Sequence, residues 1–278
     1  MSDRLTSATD AAATARGSAP VVAASTTAAL PRTETPRAGW HVGTVVAARR
    51  ETPNATRLEL DVEDWPGNAA GQHVDVRLTA EDGYSTQRSY SLAAPHRGEQ
   101  VELTVQVVPD GEVSPFLARG LAIGAPIELR GPVGGWFVWE PDADGHVLLV
   151  GGGSGVVPLM AMVRARQEAG NESPMRLIYS VRTPEDVFYA AELERRMRHD
   201  QGLEVTVVYT RLAAPGSTRP ARRLDMAILA ELAWPAESHP VNFVCGPTDF
   251  VDAIATALVE LGHGEQMIRT ERFGPSGA

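Results

Sequence analysis

Three residues in the run Gln87-Arg88-Ser89-Tyr90-Ser91-Leu92 have side chains suited to gripping an anionic, aromatic, hydrogen-bonding ligand. The run reads as a β-strand, because its residues suit a pleated, half-buried surface and Ala93-Ala94-Pro95 closes it. Residues two apart on a strand share a face. Arg88, a fork of donors for a phosphate, then lies beside Tyr90, a flat ring with a polar tip. Ser91 points to the other face, but its N–H and hydroxyl can reach a ligand lying across the strand. Taken alone, the stretch also reads as an ordinary amphipathic strand with a surface arginine and a half-buried tyrosine.

Further groups follow in order. Gly151-Gly152-Gly153-Ser154-Gly155 sits between an apolar run and a helical pattern. Glycines there let backbone approach a pyrophosphate, and the helix N-terminus supplies N–H groups and positive potential. The candidate contacts are Gly152, Gly153, Ser154 and Gly155; the competing reading is a tight strand-to-helix turn. The stretch departs from G-x-G-x-x-G, since Val156 stands where the last glycine would be, and it lacks the Gly-Lys-Ser/Thr of a P-loop. Gly111-Glu112-Val113-Ser114 opens a short helix over 114–119 with Ser114 as N-cap. The free N–H groups of Gly111, Val113 and Ser114 and the Ser114 hydroxyl can hold a second phosphate, or the motif is a plain cap. Cys245-Gly246-Pro247 follows an apolar strand at its carboxyl end, where doubly wound folds bind ligands. The competing reading is a buried small cysteine. Glu271-Arg272-Phe273 stands near the C-terminus, with Phe273 a candidate ring cover or simple packing.

Two patterns position these groups. From Trp40 apolar residues alternate: Trp40, Val42, Thr44 and Val46; then Leu58, Leu60 and Val62; Val74, Val76 and Leu78; Val101, Leu103, Val105 and Val107; Ile127 and Leu129. Together with the Arg88–Leu92 strand they make six short strands divided by turn signals, an antiparallel six-stranded β-barrel. After about residue 140 the rhythm becomes β-α-β. Strands are expected at 147–150, 175–181, 203–209, 241–244 and 266–269. Helix faces are marked by Tyr189, Leu193 and Met197, by Leu224, Ile228 and Leu232, and by Phe250, Ile254, Leu258 and Leu261. That is an α/β doubly wound parallel sheet. The expected domains are 1–38, a disordered tail; 39–140, the barrel; and 141–278, a nicotinamide-nucleotide domain. In the tail 25 of 38 residues are Ala, Ser, Thr or Pro, too few apolar residues to offset ordering entropy. Its four arginines faintly echo a transit peptide, and it has no apolar core of a secretory signal.

An Asp or Glu closing the second parallel strand would suit the ribose hydroxyls of NAD. That strand instead ends Tyr179-Ser180-Val181-Arg182, and the third ends Tyr209-Thr210-Arg211. Ser180, Arg182, Thr210 and Arg211 suit a phosphate such as the extra one of NADP, or the arginines are simply solvent-facing strand ends. Glu185 and Asp186 keep NAD open.

A formal charge of −10, from 25 Lys+Arg against 35 Asp+Glu, with no basic run, argues against nucleic acid as a partner. No run is long and apolar enough for a membrane span. The single cysteine excludes an internal disulfide framework and an iron–sulfur cluster held by this chain alone, and suits a reducing cytoplasm. The seven histidines show no ligand spacing, so no metal site is expected, and no Gly-x-Ser-x-Gly elbow is present.

In this order the motifs, with Gly131-Pro132 between them, resemble the ferredoxin–NADP reductase-like flavin reductase family from about Trp40 to the C-terminus. The resemblance implies that Arg88, Tyr90, Ser91 and Leu92 with Gly111, Val113 and Ser114 hold a flavin, and that Gly152–Gly155 with Arg182, Thr210 and Arg211 hold NADPH. It places Cys245, Gly246 and Pro247 beside the nicotinamide and Phe273 over the flavin ring. Ser91, Tyr90 and Cys245 would then be the catalytic residues. Without its own iron–sulfur domain the chain looks like the FAD-using members, with FMN still open. The implied activity is hydride transfer from NADPH to flavin, then electrons to a separate acceptor such as ferredoxin. An NADH-dependent reductase component of an oxygenase system and a non-catalytic flavin redox sensor are the alternatives.

Overall fold

The computed structural model describes residues 39–80 and 82–274. The tail expected over 1–38 lies outside the described residues.

The first lobe is built from β1 (Trp40–Thr52), β2 (Ala55–Val62), β3 (His73–Thr79), β4 (Ser85–Ser91), β5 (Gln100–Gln106) and β6 (Pro126–Val133). They form one antiparallel sheet in the order β4-β3-β6-β1-β2-β5. An antiparallel bridge between Leu92 and Leu103 joins the two outer strands and closes the barrel. Leu58, Leu60, Val74, Val76, Leu103 and Leu129 fill it and are fully buried. Each such side chain contributes about 2 kcal/mol by leaving water.

One expectation reverses. Along β1 it is Gly43 and Val45 that point inward, while Val42 and Val46 are exposed. A Cβ on Gly43 would sit 2.9 Å from Leu129. The inner face therefore requires a glycine where a hydrophobicity pattern registers only a gap. Outside, Trp40 is covered by the Arg77 guanidinium, 3.9 Å from its ring centroid.

The short helix is also smaller than expected. It is a single turn, α1 (Val113–Pro115), continued by a wider turn over Phe116–Gly120. Ser114 is not its N-cap, since Glu112 holds that place. The Ser114 hydroxyl is buried and accepts the Val108 N–H at 3.0 Å.

The second lobe is a parallel sheet of β7 (Val147–Gly152), β8 (Met175–Val181), β9 (Leu203–Tyr209), β10 (Val241–Pro247) and β11 (Ile268–Phe273), ordered β11-β10-β7-β8-β9. β7 is buried throughout, as a central strand covered on both faces must be. One face packs α2 (Val156–Glu168) and α3 (Ala190–His199); the other packs α4 (Met226–Leu232) and α5 (Thr248–Glu260). On α3 the expected apolar face is only partly realised: Leu193 is buried, Met197 is exposed and Tyr189 precedes the helix in a left-handed conformation. The chain leaves β7 toward β8 on one side and returns as β10 on the other. The carboxyl ends of β7 and β10 therefore flank the switch point, where open α/β sheets receive ligands.

The lobes meet through buried charge as well as apolar surface. Arg164 of α2 bonds Glu192 of α3 at 2.9 and 2.6 Å, and reaches across to Glu102 at 2.6 Å and the Ala93 carbonyl at 2.8 Å in the barrel. Burial alone would raise the Glu192 pKa, but bonds from Arg164 and Arg196 overturn that and hold it at about 2, below its usual 4.5. A folded-state pKa below the unfolded one means stabilisation above the unfolded value, lost as pH falls through the folded one. Glu192→Gln should accordingly melt well below the parent at neutral pH. The gap should close between pH 4.5 and about 2, read by calorimetry across that window.

Candidate active site

Backbone pairing assembles the centre of the site twice over. In the barrel, β3 and β4 set His73 directly opposite Ser91. In the second lobe, β10 and β11 set Cys245 opposite Glu271. Side chains opposite one another in adjacent strands are neighbours on one face. Across the junction, His73 Nδ1 lies 3.5 Å from Glu271 Oε1, and the Cys245 thiol donates to Glu271 Oε2 at 3.7 Å. Ser91, 5 % exposed, leaves its hydroxyl without a partner. An unpaired buried hydroxyl costs about 1–3 kcal/mol, so its presence beside a charged cluster points to a ligand that completes it.

Burial raises the Cys245 pKa well above its usual value, and the neighbouring Glu271 carboxylate raises it further. Cys245 is therefore a thiol at neutral pH and no nucleophile. Iodoacetamide should leave Cys245 unlabelled in the native protein and label it fully after denaturation, as read by mass spectrometry.

Beside this centre, Tyr90 packs half-buried against the barrel core. Burial pushes its phenol up to about 12, against the nearby Arg88 charge, which lowers it. Arg88 is exposed, and its guanidinium touches only the Gln87 carbonyl at 2.7 Å and Thr86 Oγ1 at 3.4 Å. No carboxylate among the described residues pairs with it, although most buried and half-buried arginines of the chain have one. α1 packs against β4, which brings the N–H groups of Val113 and Ser114 to the same end of the barrel; the Gly111 N–H, expected to be free, is given to the Val108 carbonyl at 3.1 Å. The side chains of Val113 and Leu92 belong to the core, so only their backbones face outward; the Leu92 N–H is already given to the Gln72 carbonyl.

Three glycines at the end of β7 and in the turn after it do three different things. A Cβ on Gly155 would stand 2.2 Å from the Cys245 carbonyl, so the glycine permits α2 to press against β10. A Cβ on Gly152 would meet Phe250 at 2.8 Å. Gly153 has φ +56° and open space before it, which suits backbone approach to a phosphate group. Ser154 is half-buried between them, and Gly246 packs against Gly152 and Phe250. Pro247, exposed, pairs in register with the half-buried Phe273.

At the far end of the same sheet edge, the Thr210 N–H bonds the Val181 carbonyl at 2.8 Å and the Arg211 N–H bonds the Arg182 carbonyl at 2.9 Å. Arg182 and Arg211 are both exposed, with no carboxylate partner among the described residues. Asp186 is otherwise engaged: it accepts the Thr183 N–H at 3.1 Å and the Thr183 hydroxyl at 3.0 Å as a capping box.

His73 and Glu271 are additions to the residues read from sequence. Glu271 had a usable signal: a last strand running to Phe273, longer than the expected 266–269, sets it opposite Cys245. For His73 no spacing or motif marked the position. No cluster of three or more metal-ligating side chains occurs among the described residues, and no helix among them is long and apolar enough to cross a membrane.

The geometry defines a class: a closed antiparallel barrel joined to a doubly wound sheet, with one site at their junction. Residues 44–138 match the oxidoreductase FAD-binding domain and residues 149–256 the oxidoreductase NAD-binding domain. The chain belongs to the ferredoxin–NADP reductase-like FAD- and NAD-binding oxidoreductases. It is 29 % identical over 242 residues to the ferredoxin–NAD(P)(+) reductase component of the naphthalene 1,2-dioxygenase/salicylate 5-hydroxylase systems of a Ralstonia species, covering 84 % of this chain and 69 % of that protein. It is 31 % identical over 210 residues to the glycine betaine monooxygenase reductase subunit of Chromohalobacter salexigens, covering 75 % of this chain but only 56 % of that protein. The flavohem-like FAD/NAD binding domain of nitric oxide dioxygenase from Vibrio cholerae superposes with a TM-score of 0.74 at 25 % identity, over 84 % of this chain and 99 % of that one.

The residues present fit a flavin: an unpartnered buried hydroxyl at Ser91, an uncompensated guanidinium at Arg88 and the first-turn N–H groups of Val113 and Ser114.

Proposed function

We propose that this chain is a NAD(P)H-dependent flavoprotein reductase that takes hydride from NADPH onto FAD and passes electrons to a separate, ferredoxin-like acceptor. The observation that carries the reading is the unpartnered Ser91 hydroxyl, on the residue opposite His73, whose imidazole reaches across to Glu271, the partner of Cys245. FAD, when bound, supplies the change from two-electron to one-electron chemistry. The chain supplies position. Residues 39–140 act as the flavin domain and 141–278 as the nucleotide domain. Arg88 and the N–H groups of Val113 and Ser114 hold phosphate, Tyr90 stacks on the ring system and Ser91 hydrogen-bonds its reactive edge. Gly152–Gly155 cradle the nucleotide pyrophosphate at the start of α2. Cys245, Gly246 and Pro247 shape the nicotinamide pocket. The buried thiol excludes water without offering a nucleophile, and Phe273 shields the ring until nucleotide arrives.

The preference for NADPH rests on Arg182, Thr210 and Arg211 at adjoining strand ends, with Asp186 withdrawn into its cap. Arg211→Ala should raise the KM for NADPH about tenfold or more and leave the KM for NADH nearly unchanged, since one charge-assisted bond to phosphate is lost. Equal changes in steady-state assays with both nucleotides would remove Arg211 from the phosphate site.

A second reading of the acceptor, an oxygenase component fed with electrons from NADH or NADPH, is favoured by the names of the two relatives above. The absence among the described residues of a helix able to span a membrane suits cytoplasmic work. The deciding experiment is anaerobic titration of the yellow protein with NADPH and, separately, NADH, followed at the flavin absorbance. Bleaching by either nucleotide supports the reductase reading and ranks the donors. A flavin band that neither nucleotide bleaches, or a protein that takes up no FAD, overturns it.

A further inference from the structure

The polar network between the lobes is built around one residue. Arg164 is 2 % exposed, yet every part of its guanidinium is engaged, and its partners come from both lobes. Two of them matter most for the site. The Ala93 carbonyl belongs to the residue two places after Ser91, and Glu102 accepts through its side chain while its own carbonyl accepts the Ala93 N–H at 2.8 Å. The segment carrying Ser91 is thus held by Arg164 directly and by the strand that Arg164 grips. At its other end Arg164 belongs to α2, eight residues beyond Val156, about 12 Å along the helix that begins at the glycine turn. Ala93 also packs against the apolar side chains of α2, and Arg97 bonds Glu168 at the exposed end of that helix, so Arg164 is the buried polar tie within a wider contact.

The surroundings brace it. The Tyr189 ring has the Arg57 and Arg164 guanidinium carbons each 5.1 Å from its centroid. Its hydroxyl donates to Thr104 Oγ1 at 2.6 Å and its N–H to Glu51 at 2.7 Å, both in the barrel. Burial alone would lower the Arg164 pKa, but the bond to Glu192 and the charge of Glu102 hold it above its ordinary value, so the charge is permanent. Replacing buried ion networks by apolar groups is often neutral for stability, so fold strength alone does not account for a buried guanidinium here.

We propose that Arg164 is a positioning residue that locks the nucleotide turn against the Ser91 segment and so sets the approach of nicotinamide to flavin. This rests on the reductase reading given above. Arg164 touches neither cofactor position and acts through Ala93, Glu102 and Glu192.

Arg164→Met keeps the stem and removes the charge. The two carboxylates keep other partners: Arg196 at 2.7 Å for Glu192 and Arg57 at 3.9 Å for Glu102. The expected result is flavin reduction at saturating NADPH slowed about tenfold to a hundredfold by stopped flow, with FAD and nucleotide dissociation constants within about twofold of the parent, because small misplacements cost rate before affinity. An unchanged reduction rate overturns the proposal, and so does a rate that falls only in step with both affinities. A cofactor-independent arm uses calorimetry of the flavin-free protein. The parent should unfold in one shared transition and Arg164→Met in two resolved ones; a single transition in both overturns the lock. If Arg164→Met does not fold, Thr104→Val, which removes the Tyr189 bond and no charge, should show the same split of rate from affinity, and its absence overturns the proposal. If the parent itself is not reduced by either nucleotide, the reductase reading falls, and the calorimetric arm alone decides whether Arg164 couples the lobes.

Discussion

Arg88→Ala is expected to purify nearly colourless, with FAD affinity reduced about tenfold to a hundredfold, the worth of one or two charge-assisted hydrogen bonds to phosphate. Its melting temperature without flavin should be unchanged. The reason lies in what surrounds Arg88. Its guanidinium is exposed and touches only Thr86 and Gln87 of its own strand. Removing it strands no carboxylate, unlike removal of Arg130, which would leave Asp75 with its 2.6 Å partner gone. A loss of flavin with stability intact therefore isolates binding from folding. The check is the ratio of flavin to protein absorbance, with reconstitution by added FAD. Full flavin content in the variant would exclude Arg88 from the phosphate site.

Ser91→Ala should move stability and activity in opposite directions. Without flavin the Ser91 hydroxyl is buried and unpaired, so replacing it with a methyl group should stabilise the flavin-free protein by about 1 kcal/mol. With FAD bound, the same change removes a donor aimed at the reacting ring, and flavin reduction should slow roughly a hundredfold. Chemical denaturation of the flavin-free protein and stopped-flow reduction of the loaded one read the two effects separately. A variant less stable without flavin would mean that the hydroxyl already has a partner. A variant equally fast would mean that its partner is not the flavin.

Both expectations depend on a site divided between two lobes, and division explains what was legible in the sequence. Local chemistry was legible. Alternation marked six strands and an unbroken apolar run marked β7, because side-chain period and burial are set by the strand itself. Glycines between a strand and a helix marked the strand-to-helix turn, because a residue without Cβ adopts φ +56° at no steric cost and alone tolerates a carbonyl 2.2 Å from where a Cβ would stand. Arg88, Tyr90 and Ser91 were legible as a group for the same reason: they are neighbours along one strand.

Relations between distant segments needed the tertiary structure. The inward phase of β1 turned on Gly43 meeting Leu129 across the barrel, and a glycine contributes nothing to a hydrophobic pattern. Ser114 looked like a cap but accepts the Val108 N–H, since a hydroxyl bonds whichever backbone donor the fold delivers. Asp186 reads from sequence as a ribose partner, and the fold also uses its Oδ2 to cap Thr183. His73 meets Glu271 from 198 positions away, and Glu271 meets Cys245 only because β11 lies parallel to β10 in that register. The amino-acid sequence by itself determined which elements form and which side chains could bind an anion or an aromatic ring. The tertiary structure decided which of them share a site, because strand register and the packing of one lobe on the other are set by contacts between residues far apart in the chain.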